Sequence, residues 1–273
     1  MALTFPEINP VAFEIGPLQV HWYALAYMVG FILGWRLAVR VCRLDDNKYR
    51  PNETDIDDFM SWAILGVLLG GRLGYVLFYN LPTYVENPLG ILKLWQGGMS
   101  FHGGVIGVVV ATTAFAYLKK VSLLRLSDLF AVSAPIGFFF GRIANFINGE
   151  LYGRPTDVSW GMVFPRAEDG MLRHPSQLYQ AALEGLVLFL ILLAMIRIPK
   201  IRNVSGVVSA AFLVFAGIFR FVVEFFREPD VQLGFVFESL SMGQILSVPM
   251  MLLGVVVFVI ARRNHARSQQ QTL

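Results

Sequence analysis

The stretch SAPIGFFFGRIANFINGELYG, residues 133–153, decides the fold. It opens as an apolar run and then places Arg142, Asn145, Asn148 and Glu150 close together. Working outward, long apolar stretches with charges clustered between them recur along the whole chain. The 273 residues are 56% hydrophobic and only 15% charged, where a soluble domain carries about 25% charged residues. That pattern predicts an all-α, polytopic membrane protein. The polar end of residues 133–153 therefore sits at the edge of a bilayer.

A bilayer core takes about 20 apolar residues per helix. Seven segments qualify: 21–41, 57–79, 99–118, 127–146, 176–196, 206–226 and 241–261. The chain reads as one transmembrane domain, 1–273, with a small extracytoplasmic cap at 147–175 and a cytoplasmic tail at 262–273. The terminal SQQQTL reads as a disordered tail. The cap segment, with Gly149, Gly153, Pro155, Pro165 and Gly170, is longer than a simple connection. The first residues carry no basic n-region, so no cleavable signal peptide is expected and the first span sets its own orientation.

Basic residues assign the sides. Arg36, Arg40, Arg43, Lys48, Arg50, Lys119, Lys120, Arg125, Arg197, Lys200, Arg202, Arg262, Arg263 and Arg267 all fall on one side. Only Lys93, Arg154, Arg166, Arg173 and Arg227 fall on the other. The excess puts the C-terminus in the cytoplasm, and seven spans then put the N-terminus outside. The pI near 9.1 follows from these loops. No basic stripe with interleaved aromatics is present, so nucleic acid is not an expected partner. Cys42 is the only cysteine, which excludes an intramolecular disulfide and a multi-thiolate metal site. His21, His102, His174 and His265 form no HExxH or HxxxH pair, so no metal or other cofactor is expected.

Arg72, Arg142 and Arg220 remain inside spans, with Glu184 and Glu224. A charge at the bilayer centre costs about 2.5–3.5 kcal/mol on insertion scales, so such groups face a partner or a polar cavity. Glu224 follows Arg220 by four residues, on the same helix face. The pair either neutralises itself or orients Arg220, whose planar fork suits phosphate, towards an anionic ligand. Arg142 and Asn145 share a face that continues through Asn148, with Asn-Gly as a turn signal, to Glu150. His102, in GGMSFHGG, has glycines on both sides and a predicted depth matching Asn145 and Glu150. It reads either as a hydrogen-bonded packing residue or as the side chain best suited to proton exchange near neutral pH. Arg72 lies among Gly66, Gly70, Gly71 and Gly74, whose spacing allows tight helix contact. It reads either as a packed arginine bonded to carbonyls or as a ligand contact. In RHPSQLYQ, Pro175 fits the first turn of the fifth helix, and His174 and Ser176 read as its cap or as part of the site. Together these residues predict an anion-friendly cavity open to the outer face, at the depth of a lipid phosphate.

The motifs carry a resemblance. GRIANFINGELYG resembles the signature of the bacterial prolipoprotein diacylglyceryl transferase family. SFHGG, RHPSQLY, GGRLGY, FRFVVEFFR and HWYALAYMVGF are similar to further motifs of that family, over about residues 5–260. The resemblance implies a multi-pass inner-membrane transferase without cofactor. It would move the diacylglyceryl group of phosphatidylglycerol, among the membrane lipids around it, to the lipobox cysteine thiol of a preprolipoprotein, releasing glycerol phosphate. It further implies that Tyr23, His102, Arg142, Asn145, Gly153, Arg220 and Glu224 serve the site. The chain departs from the family pattern at Ala144 (commonly Gly), Ala216 (Tyr in some members) and Gln180 (often Glu). A lipid or anion transporter would show inverted repeats, and none is evident. An intramembrane protease would need a Ser–His or paired-aspartate arrangement well inside the spans, whereas Asp128 lies near the cytoplasmic end of its span. The charge bias yields a direct test of orientation: a phosphatase fused after Leu273 should be inactive in the periplasm, and periplasmic activity there would reverse the assignment.

Overall fold

The computed structural model describes residues 3–6, 8–44, 50–229, 235–236 and 240–270. Lys48, counted above among the loop cations, and residues 271–273 of the tail lie outside the described residues. Seven long helices are present among those described. They are α1 (Trp22–Arg43), α2 (Glu53–Tyr79), α3 (Phe101–Lys119), α4 (Leu123–Ile147), α5 (Ser176–Arg197), α6 (Val207–Val223) and α7 (Met242–Gln270). Six are long and apolar enough to cross a membrane, and α6 is a shorter apolar helix.

The ends depart from the expected spans for physical reasons. α2 starts early because Asn52 and Asp55 form a reciprocal capping box. α7 continues to Gln270, so Ser268–Gln270 are helical where a disordered tail was expected. α6 ends at Val223 because Glu224–Arg227 turn into the site described below. Long rows of apolar side chains stay exposed, among them Val105, Ile106, Val109 and Val110 on α3 and Leu252, Leu253, Val255 and Val256 on α7. A soluble monomer rarely exposes such a surface; hydrocarbon solvates it.

The chain forms two compact units. In the unit Val39–Ser127, α2 and α3 meet on glycines. A Cβ on Gly66 would stand 2.7 Å from the Gly107 carbonyl oxygen, and one on Gly74 would stand 2.7 Å from the Gly103 Cα. In hydrocarbon there is no hydrophobic drive between helices, so this backbone proximity supplies the attraction.

The other unit comprises Met1–Ala38 and Asp128–Leu273. Within it, Gly30 of α1 lies against Gly137 of α4, and the Ser133 hydroxyl donates to the Gly34 carbonyl at 3.0 Å. Asp128 caps α6 from α4: its carboxylate accepts the Gly206 and Ser209 amides at 2.6 and 2.7 Å and the Ser209 hydroxyl at 2.7 Å. α6 and α7 close on Gly254, where a Cβ would stand 2.7 Å from Val214. Among the described residues three two-stranded antiparallel sheets complete the unit: β1 (Val11–Ile15) with β2 (Leu18–His21), β3 (Met162–Val163) with β4 (Leu172–Arg173), and β5 (Phe235–Val236) with β6 (Leu240–Ser241). The cap between α4 and α5 has its own small core, in which Phe5 packs with Met162 and Phe164 against Phe146 and Tyr152.

The glycine contacts predict a graded outcome. Gly107→Ala places a methyl on the Gly66 carbonyl and should cost about 1–3 kcal/mol, seen as a lower thermal midpoint in detergent. Gly141→Ala, whose Cβ meets nothing within 4 Å, should leave the midpoint unchanged. Equal midpoints for both variants would refute the packing argument.

Candidate active site

α4 ends where Asn148 and Gly149 turn the chain, with Gly149 at φ +64°. The turn carries Glu150 back onto the last helical turn, its amide donating to the Asn145 carbonyl at 3.1 Å. The side chains then form a relay. Arg142 donates to Asn145 Oδ1 at 3.3 Å, and Asn145 Nδ2 donates to Glu150 Oε1 at 2.8 Å. Asn148 adds a weaker bond at 3.4 Å, and Arg166 lies 3.6 Å from the other carboxylate oxygen. The expected shared face of Arg142 and Asn145 is thus present. Among the described residues no carboxylate lies within ion-pair distance of Arg142.

At the end of α6, Glu224 is 1% exposed. Its Oε1 pairs with Arg220 at 2.6 Å and Arg227 at 3.3 Å, and its Oε2 accepts the Ser241 hydroxyl at 2.6 Å. The Arg220–Glu224 spacing therefore makes the ion pair expected from it. Arg154 of the cap donates to the Glu224 and Arg227 carbonyls at 3.0 and 2.9 Å, covering the exposed end of the helix dipole.

Glu184 of α5 joins the two ends. A π-helical segment, Ala181–Val187, carries it, and π segments often mark functional positions. Gly185 beside it leaves no room for a Cβ, which would lie 2.7 Å from Phe139 Cβ on α4. Glu184 Oε1 stands 3.8 Å from Arg220 Nη1. Arg142 is in turn within electrostatic reach of Glu184, Arg220, Arg227 and Tyr23. Tyr23 and Tyr27 share a hydroxyl contact at 3.0 Å, and Tyr27 feels both Arg142 and Glu150. One unit therefore gathers Tyr23, Arg142, Asn145, Glu150, Arg220 and Glu224 around a set of arginines.

Gly153 serves this unit by lacking a side chain. A Cβ there would stand 2.5 Å from the Phe226 carbonyl and 2.6 Å from His174. The close approach lets its amide donate to the His174 carbonyl at 2.9 Å. His174 and Ser176 do not cap α5, where no side-chain cap bond forms and Pro175 itself holds the N-cap position. His174 Nδ1 instead meets the Tyr179 hydroxyl at 3.1 Å, and Ser176 donates to the Leu151 carbonyl at 3.0 Å. Burial holds the His174 imidazole below the usual histidine range, opposed by Asp157. Arg173 keeps the Asp169 carboxyl below its usual range by hydrogen bonding, which braces the cap.

The other expected residues belong to the second unit. Arg72 is buried, and all its N–H groups face carbonyls: those of Ile91 at 2.9 Å, Gly90 at 2.7 Å, Lys93 at 3.3 Å, Gly98 at 3.0 Å and Gly97. Its guanidinium also lies over the Tyr84 ring. Of the two readings of Arg72, the geometry matches the one bonded to carbonyls. The loop it organises leads to Ser100, which caps α3 through the Gly103 amide at 3.2 Å. His102 is exposed in the first turn of that helix.

Sequence reasoning gave no role to Glu184 and counted Arg154 and Arg227 only as loop cations. A signal existed for Arg227, which follows Glu224 by three residues as Glu224 follows Arg220 by four. Glu184 was itself an acid in an apolar span. The contacts of Arg154 arise only from the cap's tertiary fold.

Residues 10–260 match the family model described as prolipoprotein diacylglyceryl transferase. The chain belongs to this family. It is similar to the phosphatidylglycerol–prolipoprotein diacylglyceryl transferase of Azospirillum brasilense, at 55% identity over 97% of this chain and 99% of that protein. The proteins of the same name from Rhodospirillum rubrum and Bradyrhizobium diazoefficiens are 53% and 48% identical, over 96% and 97% of this chain and 95% and 96% of theirs. As a prolipoprotein diacylglyceryl transferase the chain is a transferase, and the transporter and protease readings fall away.

Proposed function

We propose a division of labour among these residues for a chain that transfers the diacylglyceryl group of phosphatidylglycerol to a prolipoprotein thiol in the first step of lipoprotein maturation. The acceptor is the lipobox cysteine of a preprolipoprotein in the inner membrane. The thiolate sulfur bonds to the glyceryl C3 carbon as the C3–O bond to phosphorus breaks. The electron pair leaves with glycerol phosphate, and the thiol proton passes to a base. The step gains from cations held on the leaving oxygens before they develop charge.

Arg142 and Arg220 take that role. The carrying observation is that Glu224 fixes Arg220 at 2.6 Å while Arg142, among the described residues, bonds only the neutral Asn145 side chain. One arginine is anchored and the other keeps donors for an anion. Asn145 and Glu150 orient Arg142; Glu224 orients Arg220. Tyr23 contributes a hydroxyl near Arg142. Gly153 and His174 set the position of the cap, and Arg72 sets the loop before His102. Arg142→Gln or Arg220→Gln should largely abolish transfer while the protein still inserts. Arg142→Lys should rescue poorly, since an ammonium lacks the bidentate fork. Near-normal turnover by Arg142→Gln would refute the assignment.

His102 is the proposed base, on its residue type and its glycine-flanked place in the first turn of α3. Glu150 is the second candidate. A thiol has an ordinary pKa near 8.5 and reacts as thiolate, and general bases contribute about 10²–10⁴-fold. His102→Gln should lose at least about a hundredfold in rate at neutral pH, with the loss shrinking as pH rises above the thiol value. Retained activity across that range would make His102 a packing residue.

A further inference from the structure

The start of α6 and the end of α7 carry a second set of charges, at the end of the larger unit away from the site. The two helices run antiparallel, with Gly217 against Ser247 and Met251 and Gly254 against Ala210 and Val214. That register brings Ala261, which is buried, level with the loop before Gly206. Arg262, Arg263 and Arg267 follow it on α7. Arg197 ends α5, and Lys200 stands in the loop. All five of these cations are exposed. Arg202 shapes the loop: its guanidinium donates to the Ile196 and Arg197 carbonyls at 3.2 and 3.4 Å, beside the single helical turn Pro199–Arg202.

Acids to match them are missing. Residues 185–223 and 241–273 contain no Asp or Glu. Asp128, an acid at this end, is buried and receives the amides of α6. Among the described residues no carboxylate pairs with any of the five. The unit Val39–Ser127 treats its own cations differently: Arg43 pairs with Glu53 at 2.8 Å, Lys119 with Asp58 at 2.6 Å, and Arg50 with Asp55. The last segment of α7, ARRNHARSQQ, runs on past Ala261 and is polar on every side. Arg263 and Arg267 are like charges four residues apart, which weakens a helix. The helix dipole favours Arg267 in the last turn and does nothing for Arg262 and Arg263. A helix polar all round and without ion pairs needs support from a partner.

What adjoins the cations decides the partner's chemistry. Ile198, Val259 and Ile260 are exposed apolar side chains directly beside them. Negative charge at one end and hydrocarbon at the other is the make-up of an anionic phospholipid. A nucleic acid or an acidic peptide would meet the cations and leave the apolar side chains uncovered. Basic clusters directly beyond a membrane-spanning helix attract anionic headgroups. We propose that Arg197, Lys200, Arg262, Arg263 and Arg267 form a binding surface for an anionic phospholipid in the leaflet opposite the site. In the orientation read from the basic residues, that is the cytoplasmic leaflet. The lipid held here supports the end of α7 and is not the lipid consumed in transfer.

The test uses the full-length protein in neutral detergent micelles, where sidedness plays no part. Bound phosphatidylserine and phosphatidylcholine are counted by native mass spectrometry at equal concentrations. Phosphatidylserine supplies the negative charge without the headgroup used in transfer. The wild type should retain it over phosphatidylcholine by at least about tenfold, and the preference should fall as salt rises. Combining Arg197→Gln, Lys200→Gln, Arg262→Gln, Arg263→Gln and Arg267→Gln should bring the two lipids to within about twofold. Equal retention by the wild type overturns the proposal. A combined variant that keeps the wild-type preference also overturns it, because the lipid then sits elsewhere. Should the combined variant fail to insert, Arg263→Gln with Arg267→Gln on the exposed end of α7 decides by the same ratio: a loss of about threefold or more supports the proposal, and an unchanged ratio overturns it. A wild type that binds a single-stranded oligonucleotide or an acidic peptide and does not distinguish the two lipids assigns the surface to that partner and overturns the proposal.

Discussion

The carboxylate of Glu224 is the constraint around which the larger unit is arranged. A charge with 1% exposure at the end of an apolar helix survives only if cations and donors surround it. Arg220 and Arg227 supply the charge, Ser241 supplies a hydroxyl, and Arg154 covers the helix carbonyls beside it. Removing the carboxylate would take from Arg220 and Arg227 the acid they share. Removing either arginine would leave an acid buried. The cluster therefore holds the end of α6, the start of α7 and the cap in one arrangement, and the cap's own aromatic core around Phe164 keeps Arg154 in reach.

Glycine does the complementary work. Gly243 of α7 abuts Glu224, where a Cβ would stand 2.5 Å from the carboxyl carbon, so only glycine lets α7 start against the ion cluster. Gly153 does the same for the cap, and Gly185 lets the π segment of α5 rest on Phe139. In the smaller unit, the faces of α2 and α3 are glycine for the plainer reason that hydrocarbon gives helices no hydrophobic reason to associate. Charge in a low-dielectric medium demands partners, and the missing side chains let the partners approach.

Much of this was legible in the residues. Spans follow from apolar length, which is why seven segments became seven helices. The i, i+3 and i, i+4 spacings of Arg142–Asn145 and Arg220–Glu224 are local geometry, and both bonds are present. What could not be read was non-local. Nothing in RHPSQLYQ says that His174 will meet Tyr179 rather than cap the helix, because that choice depends on Gly153 drawing the chain against residue 226. Nothing near Arg72 announces the five carbonyls that receive it, since they come from the loop 90–98. The tail was misread because its polar composition fits solvent and helix equally well once α7 has been nucleated upstream.

Charge bookkeeping gives these contacts a functional sense. Arg142, Arg220 and Arg227 come together with Glu184 and Glu224, while Glu150 pairs with Arg166. The opposite charges are not spread evenly. Glu224 engages Arg220 and Arg227 directly, whereas Arg142 bonds only the neutral Asn145 side chain and has no carboxylate within ion-pair distance among the described residues. Electrostatic attraction for an anion is thus concentrated on α4, next to a carboxylate relay through Asn145 to Glu150 that orients the guanidinium without neutralising it. In the proposed reading, charge grows on the phosphate oxygens as the C3–O bond breaks, and arginines already fixed in place need no reorganisation to meet it.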